Sequence, residues 1–211
     1  MTSKIAEATY NPTASKILDT ATRLFMQLGY RAVSINDIVK AADITKPTLY
    51  YYFPDKEELF AQMALRRLIE MHRAMHAALA DAQALLAQLT AIAGVLLDAS
   101  TGDMRLMRHE MHEHLAPEHQ RRLGLAFQQH LFEPVCQIMQ HGLALAELKG
   151  YSASDLTWMF LGLMEAFHGM SGQPDDTGQQ ASSALPTPIF TPAQIVALFL
   201  HGVSGLSIEE K

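Results

Sequence analysis

The chain has 211 residues, 49% of them apolar and 18% charged, with a formal net charge of −6. That apolar share excludes wholesale disorder, and a single cysteine, Cys136, excludes an intramolecular disulfide framework and a Cys-only zinc site. With 29 Ala, 28 Leu and 12 Met against 17 Val and Ile together, helix formers far outnumber strand formers, and the expected fold class is all-α.

Residues 1–11 lack periodicity and read as a flexible tail with no apolar signal core. From Thr13 to Gly29, Ile17, Ala21, Leu24 and Leu28 recur at the helical period, and Gly29 is placed to stop the helix. Ser34, with Asp37 three residues on, opens a short helix to Ala42. Thr45 caps a third helix in which Pro47 sits harmlessly in the first turn; Pro54 disfavours helical geometry at Phe53 and ends it. Asp55 with Glu58 opens a long helix over 56–81. Further helices are expected at 83–99, 103–115, 117–148, 154–170 and 192–206, with a Gly/Pro/Ser/Gln-rich loop over 171–191. No segment is apolar enough for long enough to cross a bilayer, so a cytoplasmic protein without membrane partners is expected.

Charge is uneven. Residues 1–75 hold 10 Lys/Arg and 8 Asp/Glu, a balance of +2; residues 76–211 hold 6 and 14, a balance of −8. A less acidic end on an acidic body is consistent with a nucleic-acid-binding part. The two short helices, 34–42 and 45–53, are joined by a tight turn at Asp43-Ile44 and are too short to be stable alone. Packed through Ile35, Ile38, Ala42, Ile44, Leu49 and Phe53, they form a helix-turn-helix. The residues left on the second helix, Thr45, Lys46, Thr48, Tyr50 and Tyr51, combine a cation, hydroxyls and flat rings, which suit phosphates and base edges in a major groove.

Leu24-Phe25, Gly29-Tyr30, Ser34-Ile35-Asn36-Asp37-Ile38 and the run from Ala42 through Thr48-Leu49-Tyr50, Phe53, Lys56 and Leu59 resemble the TetR/AcrR family of bacterial transcriptional regulators. The resemblance is dense over residues 15–60. It implies an N-terminal three-helix DNA-binding domain (12–55) on an all-α ligand-binding and dimerisation domain (56–211). It also implies a homodimer, and a repressor released from a palindromic operator in double-stranded DNA by a small apolar or aromatic molecule. Carried over by position, Ser34, Thr45, Lys46, Thr48, Tyr50, Tyr51 and Tyr52 lie at the DNA, and Lys56 holds a phosphate. Tyr52 has a competing role in packing on the first helix. Asp43 stands where the family usually has Gly, at a turn position that needs φ > 0.

In the C-terminal part, Leu156, Phe160, Gly162, Leu163, Ala166 and Phe167, with Ile195, Phe199, Gly202 and Leu206, pattern two helices that mix small and large apolar residues. The resemblance places the dimer interface there, although an intrachain core predicts the same periodicity. Met107, Met111, Phe127, Met139, Trp158 and Phe167 are the candidate pocket residues. The run His109-Glu110-Met111-His112-Glu113-His114 permits a metal pair, but reads best as a solvated polar face. Cys136 reads as a small buried hydrophobe. No cofactor or metal is expected. No Gly-rich phosphate loop, nucleophile elbow or paired-carboxylate signature is present, so an enzyme is not expected. A metal- or redox-responsive regulator of the same fold is the alternative, with a small α-helical enzyme behind it.

Overall fold

The computed structural model describes residues 11–98, 104–168 and 190–204, and among these no strand occurs. In chain order the helices are α1 (Pro12–Leu28), α2 (Ile35–Ala41), α3 (Lys46–Tyr52), α4 (Lys56–Ala78), α5 (Leu85–Leu97), α6 (Met104–His114), α7 (Pro117–Phe127), α8 (Glu133–Ala144), α9 (Ala153–His168) and α10 (Pro192–Ser204). The all-α expectation holds. Residues 1–10, the Thr101-Gly102 break, residues 169–189 and Leu206 lie outside the described residues, as do the side chains of Met104–Met107. No described helix is long and apolar enough to cross a membrane.

Two compact units form. One holds the described residues up to Glu70 together with Met104–Phe127; the other holds those between Met71 and Met104 and those from Gln128 onward. The first unit therefore extends past residue 55 and takes in α6 and α7. The reason is visible in its contacts: Leu115 and Leu123 sit in the same core as Ile17, Leu49, Leu59 and Met63. The Arg122 guanidinium, from α7, grips the Glu58 carboxylate of α4 at 3.1–3.3 Å. Glu57 accepts the Ala116 backbone N–H at 3.0 Å, supplying a carboxylate where α7 begins and its N–H groups lack helical partners.

In the second unit α5 packs on α8, α9 and α10. It is apolar almost all round, as a central helix must be. Leu89, Ile92 and Ala93 are fully buried. Phe160 of α9 and Phe199 of α10 meet edge to face at 5.4 Å. Gly142 lets α8 approach: a Cβ there would lie 2.9 Å from Leu148 Cδ1 and 3.0 Å from Leu85 Cδ2.

One helix was expected over 117–148. Instead a π turn, Gln128–Phe132, separates α7 from α8, and α8 ends at Ala144. Pro134 supplies a physical reason: it has no N–H to give the His130 carbonyl four residues earlier. The turn after α8 places Ala146 at φ 59°.

Candidate nucleic-acid interface

The first three helices are fixed by their ends as much as by their core. Asn11 accepts the Thr13 N–H at 2.9 Å and starts α1. Ser34 and Asp37 form a full capping box on α2: Ser34 N–H donates to Asp37 Oδ2 at 2.8 Å, and Asp37 N–H donates to Ser34 Oγ at 3.2 Å. These hydrogen bonds, first from the Ser34 side chain and then from its backbone, hold the Asp37 carboxyl below the usual range. Thr45 accepts the Thr48 N–H at 3.3 Å and caps α3. Between α2 and α3, Asp43 takes φ 50°, the left-handed conformation expected at that position.

Packing then decides which residues of α3 remain available. Leu49 is fully buried, and Tyr52 is half-buried against the core cluster. Tyr50 is 48% exposed and Tyr51 82% exposed. Thr45 and Lys46 are also exposed, and Thr48 is half-buried with its hydroxyl 2.8 Å from that of Thr45. Of the positions carried over from the resemblance, Ser34, Thr45, Lys46, Tyr50 and Tyr51 thus lie on the surface. Tyr52 does not join them: its ring packs beside Phe53 and edge-on to Tyr51, 5.0 Å away.

Lys56 is engaged differently from a free phosphate donor. Its ammonium sits 4.1 Å from the centre of the Tyr30 ring, a cation–π contact. Burial pushes its pKa down, with the Glu110 charge acting the other way. Tyr30 is in turn stacked on His114 at 5.4 Å and edge-on to Phe60 at 5.1 Å. Burial first, then the charges of Glu57, Asp55 and Glu110, push the Tyr30 phenol up to about 12. His114 Nε2 lies 3.3 Å from Glu110 Oε2. The polar face expected on α6 is therefore split. His109, His112 and Glu113 are exposed, whereas Glu110 and His114 turn inward onto Tyr30 and Gly29. Among the described residues no three His, Cys, Asp or Glu side chains are grouped to hold a metal.

Residues 17–63 match the family model described as bacterial regulatory proteins, tetR family. The regulator AcrR of Shigella flexneri is 43% identical over 51 residues, 24% of each chain. The regulator LmrA of Bacillus subtilis is 38% identical over 72 residues, 34% of this chain and 37% of LmrA. These matches span only about a quarter to a third of the curated relatives' length. Across nearly the whole chain the fold matches a tetR-family regulatory protein from Rhodococcus RHA1, with a TM-score of 0.71 at 19% identity, covering 92% of this chain and 98% of that one. AibR, solved with isovaleryl coenzyme A and operator DNA, gives a TM-score of 0.67 at 17% identity, covering 90% and 97%. Residues 17–63 thus carry the sequence pattern of the tetR family of bacterial regulatory proteins, and the chain shares the fold of the solved structures.

The expected pocket residues fall in both units. Met139 is fully buried, Trp158 is 55% exposed with its ring 5.0 Å from that of Phe132, and Phe167 packs edge-on to Phe190. Met111 packs into the core of the first unit, and Phe127 belongs to that unit too. Met107 has no described side chain. The second unit opens a cleft of about 430 Å³ lined by His72, Met75, His76, Leu79, Gln88, Gln129, Glu133, Pro134, Gln137, Ile138 and His141, a set that contains none of the expected pocket residues. One signal was visible in the sequence: His72 and His76 stand four apart on a helix, hence on one face.

The expected interface residues divide as well. Leu156, Phe160, Ile195 and Phe199 are buried within the chain, so they serve its own core rather than a second copy. Leu163 and Phe167 are half-buried, while Gly162, Ala166 and Gly202 are exposed, and a Cβ on Gly162 or Gly202 would meet open space. Trp158, Met159 and Leu198, absent from the expectation, are exposed on the same two helices. Cys136 is half-buried, not buried, with Gln140 Nε2 3.8 Å from its sulfur.

Proposed function

We propose that the chain is a transcriptional repressor that binds a palindromic operator as a homodimer and releases it when a small molecule enters the second unit. The observation that carries this reading is the surface of α3. Tyr50 and Tyr51 stand out beside Thr45 and Lys46, on a helix anchored beneath by the fully buried Leu49. Exposed aromatic rings cost apolar contact with water, and a major groove offers them thymine methyls and base edges. Lys46 adds a phosphate contact that orients the helix. Ser34, exposed at the start of α2, contributes one more.

Two further features support the assembly and its control. Trp158 and Met159 on α9 and Leu198 on α10 are exposed large apolar residues, and the exposed small residues Gly162 and Ala166 follow Trp158 at helical spacing, a pattern that a second copy could cover. The cleft has the volume of an ordinary small-molecule site. Helix α4 runs from Lys56 in the first unit to Met75 and His76 in the cleft lining, so chain continuity joins the two functions. A regulator of this kind works in the cytoplasm and needs no catalytic residues. Selection from random duplexes by the full-length protein tests the reading. Enrichment of an inverted repeat bound by two chains is the expected result, and recovery of no common sequence refutes it.

A further inference from the structure

The cleft in the second unit has a polarity that its residue types alone do not reveal. Pro134 leaves the His130 carbonyl without its helical donor, and the His72 ring fills the place, its Nδ1 3.0 Å from that oxygen. Against a carbonyl the ring nitrogen must be the donor, so Nδ1 carries the proton and Nε2 is left as an acceptor. Gln88 is held in place by one bond. Its amide nitrogen donates one N–H to the Ala82 carbonyl at 3.2 Å, which leaves Oε1 and the second N–H. Glu133, exposed on the rim, adds a carboxylate, which accepts only. No Lys or Arg lines the cleft. Met75 and Ile138, both buried, and the half-buried Leu79 and Pro134 supply an apolar surface.

We propose that this cleft binds a protonated amine carried on an apolar or aromatic body. The acceptors take its N–H donors, Glu133 balances its charge, and Met75, Leu79 and Ile138 hold the body. An anion of the same shape finds no permanent cation and meets the Glu133 carboxylate, while the His76, His141, Gln129 and Gln137 side chains can accept as well as donate and so favour neither charge. A neutral alcohol can use one acceptor but gains nothing from Glu133. The proposal rests on reading this cleft as the effector site, and it names the effector's chemistry.

Three probes of one shape test it: 4-phenylbutylamine, 4-phenylbutan-1-ol and 4-phenylbutyrate, titrated calorimetrically into the full-length protein at pH 8. The amine should bind about tenfold or more tighter than the alcohol, since a hydrogen bond to a charged group outweighs a neutral one by about that factor. The butyrate should not bind measurably. Glu133→Gln should reduce the amine preference to near unity and leave alcohol binding unchanged, whereas Glu147→Gln, exposed and outside the cleft lining, should leave the preference intact. Equal or tighter binding of the butyrate, a preference that survives Glu133→Gln, or no binding of any probe overturns the proposal. Duplex binding by the ligand-free protein, measured on the same preparation, reports on the repressor reading separately: it can fail while amine binding succeeds, and the reverse.

Discussion

Gly29→Ala should be among the more damaging single-methyl changes in the first unit. Gly29 ends α1 at φ 80°, ψ 161°, a backbone conformation essentially reserved for glycine. Alanine there costs about 1–3 kcal/mol in backbone strain. The new Cβ would also lie 3.0 Å from Glu110 Oε1, whose other oxygen is beside His114, so the carboxylate cannot swing away without loosening that pair. Together these amount to about 2–4 kcal/mol, or on the order of 5–10 °C in melting temperature for a protein of this size. Denaturant unfolding at fixed protein concentration measures it, because dimerisation would otherwise shift the midpoint. Repeating the measurement in a Glu110→Ala background separates the two contributions: the contact part should disappear and the backbone part should remain. A Gly29→Ala protein within about 0.5 kcal/mol of wild type, the range of an ordinary surface change, would refute the argument.

Gly142→Ala pits two effects against each other. Alanine gains about 1 kcal/mol in helix propensity, but its methyl would crowd Leu148 and Leu85, both buried, at 2.9–3.0 Å; overpacking of about 1–3 kcal/mol should win and lower stability in a urea titration. Tyr30, with its phenol raised to about 12, should ionise last among the tyrosines when absorbance at high pH is followed. Because the folded value lies above the unfolded one, this contribution is fully present below about pH 10 and is lost as pH rises towards 12. Ala166→Glu places a charge on an exposed position, so it should leave the circular dichroism unchanged while sedimentation shows the dimer giving way to monomer; a retained dimer would place the interface elsewhere.

Much of the fold was legible because local rules and burial agreed. Ser34 with Asp37, Thr45 with Thr48, and Pro54 after Phe53 mark helix ends by backbone chemistry that needs no tertiary information. What was not legible depended on long-range contacts. Leu156, Phe160, Ile195 and Phe199 have the same periodicity whether they face α5 or a second copy, and only packing shows that they are internal. Glu110 and His114 looked like part of a solvated face, and only the arrival of Tyr30 turns them inward. The cleft was missed because its character lies in which end of the His72 ring is already bonded, a property of a partner 58 residues away. Pro134 was the one clue to the π turn, and it is equally at home in the first turn of a helix, where it in fact lies.

The central claim is that α3 reads a DNA sequence through its exposed face. Fluorescence anisotropy at one fixed salt concentration, with the full-length protein on its selected duplex and on a scrambled duplex, tests it most directly. Tyr51 is 82% exposed, so Tyr51→Ala should leave folding and dimerisation intact. The account predicts that this variant loses roughly 1–3 kcal/mol of the preference for the selected duplex, the usual worth of a good base contact, with little change on the scrambled one. A preference equal to that of wild type would contradict it.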